Sequence, residues 1–189
     1  MRHLFNVIVG FLIQYYVYRD GVLHVLLLTT VAYLLMIFLP RNTQQKYVMG
    51  WVLGYLTFNH LHRMYTDFGG FNLDISTFNM LQVCKLSGLA FCYKDGGEDP
   101  KSLTKDQQVR VVRKLPSVLE IASYTYFIGN SALGVFFEFS DYKRFIERTD
   151  EYKQVPSPIK SSLITLAHAI AFTAFFVVVS QWFYLDYCY

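Results

Sequence analysis

Residues 161 to 185 read SSLITLAHAIAFTAFFVVVSQWFYL and contain no Asp, Glu, Lys or Arg. A helix rises about 1.5 Å per residue, so this run is long enough to cross a hydrocarbon core of about 30 Å. Residues 22 to 39 form a second, shorter apolar run, which Pro40 closes. The two runs predict an integral membrane protein.

The composition agrees with a membrane setting and argues against a nucleic-acid partner. Hydrophobic residues make up 53% of the chain and charged residues 16%, whereas soluble domains carry about 25% charged residues. The formal net charge of +3 is small and dispersed along the chain, so no nucleic-acid-binding patch is predicted. The three cysteines form no recognisable disulfide framework.

Five or six apolar segments are predicted to lie in the membrane. The predicted fold class is therefore an all-α, multi-span transmembrane helical bundle, with residues 1–189 as a single transmembrane domain. The fourth segment carries Lys85 and the fifth carries Glu120. Because such groups are expensive in lipid unless they face other helices, water or a cavity, a bundle around an internal chamber is favoured. The predicted segments are residues 4–18, 22–39, 47–62, 76–93, 117–139 and 160–185.

Two hydrophilic stretches connect the later segments. Residues 94–115 form a hydrophilic loop, and Thr104 and Gln107 have the spacing of a capping box, which predicts a short helix that Pro116 ends. Residues 141–153 place a few apolar side chains at helical spacing among charged positions. They predict a short amphipathic helix that lies flat at the membrane surface. Its inward positions are Tyr142, Phe145, Ile146 and Thr149.

The orientation of the chain depends on segment 117–139. If every segment crosses the membrane, Lys and Arg lie on both sides, against the usual cytoplasmic excess of basic residues. If 117–139 is re-entrant, the basic residues of both hydrophilic stretches face the cytoplasm. The sequence leaves both arrangements open.

The stretch NHLHRMYTDFGG, residues 59 to 70, is the first candidate for chemistry because it combines two histidines, an arginine and an aspartate. His60 and His62 are two residues apart, so on a helix they point to nearly opposite sides. The zinc-binding helical pattern needs histidines at i and i+4. We therefore predict no metal site, and we interpret the stretch as the polar end of a membrane helix, with catalysis by either histidine as the alternative.

Three other polar residues lie within apolar segments. His168 and His24 each have two interpretations: contact with substrate, or a hydrogen bond to a neighbouring helix. Lys85 either pairs with a carboxylate, Glu120 or Asp74, or meets an anionic substrate group.

Three stretches, in this order, carry a family resemblance: HLHRMYTDFGGFNLDIST, MLQVCKLSGLAFCYKDG and LPSVLEIASYTYFIGNSALGVFFEFSDYKRFIE. Together they resemble the membrane-bound O-acyltransferase family, in particular its lysophospholipid acyltransferases. The resemblance covers about residues 50 to 150, and it identifies the chain as similar to the N-terminal part of a larger acyltransferase fold.

The resemblance implies transfer of an acyl chain from acyl-CoA to a lysophospholipid hydroxyl, in phospholipid remodelling at the endoplasmic reticulum. A neutral histidine takes the hydroxyl proton, and the oxygen attacks the thioester. Acyl-CoA is a co-substrate, and no cofactor is implied. The catalytic histidine and an asparagine of the family are expected beyond residue 189, so these 189 residues alone are predicted to be inactive. The chamber lining predicted for this part of the chain is Tyr126, Phe136, Phe137 and Tyr142.

The alternative is a non-enzymatic, truncated membrane protein that binds lipid or a partner subunit. A transporter is disfavoured because the sequence contains no internal repeat of the kind found in inverted-repeat transporters. The head group, the acyl chain and the oligomeric state are not predicted.

Overall fold

The structure is a computed structural model that describes residues 1–69, 75–131, 135–154 and 157–182. All regular structure in these ranges is helical, as the predicted fold class requires. The chain divides into two compact units, Met1–Thr149 and Asp150–Tyr189. Each unit is described by itself.

The first unit begins with four long helices. A single 3-10 turn, Arg19–Gly21, separates the first two, and Leu39 ends the second in an extended conformation because Pro40 follows it. The predicted segment boundaries agree with these helices to within a few residues. The helices are α1 (Arg2–Tyr18), α2 (Val22–Phe38), α3 (Gln44–Thr66) and α4 (Ile75–Asp95).

Helices α2, α3 and α4 pack together around an apolar core. Side chains of all three helices are buried at their common contact, Leu28, Val48 and Leu86 among them. Two polar side chains also join the helices: Gln44 Nε2 donates to the carbonyl oxygen of Ala90 at 2.7 Å, and Trp51 Nε1 donates to that of Leu28 at 3.2 Å. The three helices therefore form the packed core of this unit.

The hydrophilic loop folds back against the end of α4. Arg41 holds it there, because its guanidinium donates to the carbonyl oxygen of Tyr93 at 2.6 Å and to that of Val112 at 2.9 Å. The predicted capping box is confirmed: Thr104 and Gln107 begin the short helix α5 (Lys105–Arg110). This helix ends at Arg110, earlier than predicted.

Residues 117–139 do not form one continuous helix. They contain helix α6 (Val118–Thr125) and a 3-10 turn, Ile128–Asn130. Tyr33 Oη donates to the carbonyl oxygen of Pro116 at 3.0 Å, which places the start of α6 near the end of α2. Glu138 returns to the same end of the bundle, where Arg110 lies 3.5 Å from it. The described residues at the two ends of this segment, Pro116 and Glu138, therefore lie at the same end of the bundle, and a re-entrant path stays a prediction.

The predicted amphipathic helix over 141–153 is shorter than expected. It is α7 (Phe139–Glu147), and Arg148, in the left-handed conformation, ends it at φ 55°. A separate 3-10 turn, Asp150–Gln154, follows. Tyr142 and Ile146 are buried as predicted, whereas Phe145 is exposed.

The end of the bundle where α2 and α4 finish is called the basic end, and it comprises residues 94–117 and 139–149. Residues 94–117 contain six basic and four acidic side chains. Arg2, at the start of α1, donates to the carbonyl oxygen of Ile146 at 2.6 Å, so α1 also begins there. The opposite end contains the Arg19–Gly21 turn and the last residue of α3.

Among its described residues, the second unit contains one long helix, α8 (Ile159–Trp182). Its apolar side chains are exposed, from Ile159 to Val178. Two runs among the described residues are long and apolar enough to cross a membrane: Arg2–Phe38, which joins α1 and α2, and Ile159–Ser180. The predicted number of membrane spans, five to six, is therefore not confirmed.

Candidate functional site

A buried polar cluster lies where the middle of α4 faces the end of α6. At its centre is Lys85, whose side chain is fully buried inside the bundle. Lysine is almost never fully buried unless it is paired. The partners of this ammonium group therefore decide what the cluster can do.

Helix α6 supplies the first partners. It ends at Thr125, so its last carbonyl groups have no partner within the helix. Lys85 Nζ donates to the carbonyl oxygen of Tyr124 at 2.6 Å, and Gln82 Nε2 donates to that of Thr125 at 3.2 Å. Because a helix C-terminus carries partial negative charge, it is a favourable place for a cation. Two side chains of α4 thus provide the hydrogen bonds that cap the C-terminus of α6.

Aromatic rings and one amide surround the rest of the ammonium group. Nζ lies 4.3 Å from the centre of the Tyr124 ring and 4.7 Å from that of Phe137, at cation–π distance. With its amide rotated by 180°, Asn130 accepts from Nζ at 2.5 Å and donates to the carbonyl oxygen of Phe127 at 2.6 Å. Lys85 therefore joins α6 to the 3-10 turn that follows it.

The predicted pairing of Lys85 with Glu120 is wrong. Glu120 accepts hydrogen bonds from Ser117 as part of the capping box that begins α6, and it pairs with Lys143 at 3.1 Å. Among the described residues no carboxylate forms an ion pair with Lys85. Asp74, the other predicted partner, lies outside those residues.

An aromatic cluster continues from Lys85 towards α7. The Tyr142 hydroxyl donates to Ser123 Oγ and lies 3.1 Å from Nδ1 of His3. The Tyr142 and Phe137 rings are stacked, with centroids 6.3 Å apart. The rings of Tyr124, Phe127 and Phe139 pack edge-on or tilted around them.

The four predicted lining residues do not share one surface. Phe137 and Tyr142 are brought together in the aromatic cluster. Tyr126 is buried elsewhere, with its ring edge-on to Phe11 of α1 at 5.6 Å, and its hydroxyl has no partner within the part of the chain that the structure describes. Phe136 is exposed. Whether these side chains touch a substrate stays a prediction.

Sequence reasoning missed Gln82, Ser123 and His3. Gln82 precedes Lys85 by three residues, the spacing that puts two side chains on one face of a helix. That spacing was a usable signal for a polar face on α4. Ser123 and His3 carried no such signal, because they approach Tyr142 from α6 and α1, which are far apart in sequence.

The four histidines considered in the sequence, His24, His60, His62 and His168, lie in three different surroundings. His60 and His62 both lie on α3, which extends to Thr66, and Asp67 follows its end. His24 Nδ1 lies 2.8 Å from the Tyr55 hydroxyl, which favours the packing interpretation for His24. His168 is exposed on α8. No group of three or more metal-ligating side chains occurs in the ranges described.

No family model matches the chain. Lysophospholipid acyltransferase 5 of Bos taurus is 29% identical over 188 residues, 98% of this chain and 38% of the relative. The human protein of the same name is 28% identical over 93% of this chain and 35% of its own length. Membrane-bound glycerophospholipid O-acyltransferase 2 of Gallus gallus is 31% identical over 78% of this chain and 29% of its own length.

These relatives confirm the predicted resemblance. They are 28% to 31% identical to this chain over most of its length, and they are lysophospholipid and membrane-bound glycerophospholipid acyltransferases. The chain spans between 29% and 38% of their length. Together with the two apolar helical runs, they indicate a membrane protein related to acyltransferases.

Proposed function

We propose that this chain forms part of a membrane acyltransferase that moves an acyl group from acyl-CoA to the free hydroxyl of a lysophospholipid. The observation that carries the proposal is the similarity to lysophospholipid acyltransferase 5 over 98% of the chain. The apolar helical runs support it, because both substrates are amphiphiles. The endoplasmic reticulum is the proposed location.

The proposed role of these residues is to build part of the chamber wall. The reaction needs a neutral histidine as general base and a thioester within reach of the hydroxyl oxygen. We assign that histidine and the asparagine of the family to a part of the protein outside these 189 residues. Phe137 and Tyr142, which pack together in the aromatic cluster, are proposed as part of that wall. No metal or bound cofactor is required by this chemistry.

The activity is tested on the endogenous protein. An antibody against the exposed loop residues 97–110 captures it from detergent-solubilised microsomes, and a blot with the same antibody gives its size. The captured protein is expected to transfer a labelled acyl group from acyl-CoA to lysophosphatidylcholine or another lysophospholipid. If it transfers none to any lysophospholipid, the proposal fails, and a band near 22 kDa would then favour a non-enzymatic lipid-binding protein.

The predicted inactivity of these 189 residues alone is tested separately. Microsomes from cells that express only these residues receive the same two substrates. We expect no transfer above that of untransfected microsomes, because the general base is assigned elsewhere. Clear turnover would contradict that assignment and direct attention to His60 or His168.

A further inference from the structure

An open groove of about 720 Å³ lies at the basic end, between the chain that follows α5 and the start of α7. Part of its lining is apolar, including Tyr33, Val112 and Phe139. Phe139 and Val112 are buried in the bundle beneath it. The groove therefore has room for a small polar group and the beginning of an apolar chain.

The rest of the lining carries a surplus of positive charge. Four basic side chains line the groove, against the two carboxylates of Glu120 and Glu147. Lys143 contacts both carboxylates, at 3.1 and 3.7 Å, and Arg144 pairs with Asp141. The other two basic side chains are Arg113 and Lys114.

Arg113 and Lys114 carry the charge that is available to a ligand. Both are exposed, and neither forms an ion pair within the described part of the chain. Lys94, by contrast, is already occupied: Nζ lies 2.8 Å from Glu98, and that hydrogen bond raises the pKa of Lys94. Arg113 and Lys114 are thus the two basic side chains of the groove lining that no carboxylate of the described residues pairs with.

A buried hydroxyl adds a second, independent observation. Ser140 lines the groove, and its Oγ is buried without a hydrogen-bond partner among the residues described. An unsatisfied buried polar group costs free energy unless a ligand or water meets it. A hydroxyl beside basic side chains is well suited to donate to a phosphate oxygen.

We propose that this groove binds the phosphate headgroup of an anionic phospholipid, with the upper part of one acyl chain on its apolar lining. Arg113, Lys114 and Ser140 meet the phosphate, and Tyr33 and Val109, which also line the groove, meet the chain. The apolar lining distinguishes a lipid from free phosphate, which would leave it exposed to water. This site does not depend on the proposed acyl transfer, because it rests only on charge and shape.

The test uses the whole chain, purified in detergent, and native mass spectrometry with added lipids. Phosphatidic acid is compared with phosphatidylcholine and diacylglycerol that carry the same acyl chains. We expect phosphatidic acid to be retained preferentially. The pair Arg113→Gln and Lys114→Gln is expected to lower its affinity at least about tenfold, since each basic side chain adds to the attraction of an anionic lipid.

The matched control is the pair Lys101→Gln and Lys105→Gln. It removes the same charge from the same exposed loop but lies outside the groove lining, so phosphatidic acid binding should stay within about twofold of the unchanged chain. Ser140→Ala should give a smaller loss than the Arg113 and Lys114 pair, because it removes one donor.

Three results would overturn the proposal. Equal losses of phosphatidic acid affinity in the Arg113 and Lys114 pair and in the Lys101 and Lys105 pair would mean that the charge acts at long range and not in the groove. Equal retention of diacylglycerol and phosphatidic acid would mean that the groove does not recognise the phosphate. Displacement of the lipid by millimolar inorganic phosphate alone would show that the apolar lining adds nothing.

Discussion

At the scale of single residues, the full burial of Lys85 is the most unusual feature. An ammonium group in an apolar bundle loses its hydration, and only specific partners offset that loss. Here the partners are a helix C-terminal carbonyl, an amide oxygen and two aromatic faces. Lys85 is consequently a structural cation that holds an interrupted helix in place.

Replacing Lys85 with Met tests this role. The new side chain has similar length, so packing is kept, but the carbonyl of Tyr124 and the amide of Asn130 lose their donor. Each unsatisfied buried group costs about 1–3 kcal/mol, so the loss of both donors is expected to lower the free energy of unfolding by about 2–6 kcal/mol. Thermal unfolding in detergent measures it.

The control for this prediction is Lys94→Met. Lys94 lies on the same helix but is only partly buried and pairs with Glu98, and surface pairs contribute about 0.3–0.5 kcal/mol. A Lys85 variant as stable as the Lys94 variant would mean that the ammonium group does not stabilise the end of α6.

At the scale of elements, α1 is fitted closely to the interruption after α6. A Cβ atom on Gly10 would lie 1.6 Å from the carbonyl oxygen of Tyr126 and 2.9 Å from Ser131 Oγ. The contact with the Tyr126 carbonyl is impossible unless the backbone moves, whereas the Ser131 hydroxyl could rotate away. Small residues let helices approach closely in this way, and the contact is between α1 and the non-helical chain that follows α6.

Gly10→Ala is accordingly expected to destabilise the first unit by more than about 2 kcal/mol, because overpacking at a backbone contact has no cheap relief. Gly50→Ala on α3 is the matched control, since no heavy atom lies within 4 Å of its new Cβ. Alanine is a better helix former than glycine, so that variant should gain up to about 1 kcal/mol. Equal effects from both variants would contradict the close approach of α1.

At the scale of the whole first unit, the path of residues 117–139 decides where the charges lie. Because the chain enters and leaves at the same end of the bundle, residues 94–117 and α7 share the basic end. Helix α3, with 23 residues, spans about 34 Å, so Phe68 after its end marks the opposite side. The excess of basic residues predicts that the basic end faces the cytoplasm.

Cysteine labelling tests this arrangement. In a background without the three native cysteines, Lys101→Cys and Glu147→Cys should both react with an impermeant maleimide from the cytoplasmic side of sealed microsomes. Phe68→Cys should react only after the membrane is opened. All three positions are exposed. Labelling of the Lys101 and Glu147 variants from opposite sides would exclude the re-entrant path.

The sequence by itself determined the helical class, the main helix boundaries and the start of α5. Each of these depends on neighbours within a few residues: apolar runs, the proline after Leu39, and the Thr104–Gln107 capping box. It also led to the acyltransferase resemblance, which the relatives confirm. The prediction that the amphipathic helix continues to residue 153 is wrong, because Arg148 takes a left-handed conformation that the spacing of apolar residues does not reveal.

Only the tertiary structure decided the partner of Lys85, the separation of Tyr126 and Phe136 from Phe137 and Tyr142, and the return of 117–139. Glu120 was the obvious charged partner in sequence, yet its own helix start and Lys143 already occupy it. The carbonyl that Lys85 binds becomes available only because α6 stops at Thr125. That partner is a backbone group, and every residue has one, so no residue type in the sequence could have marked it.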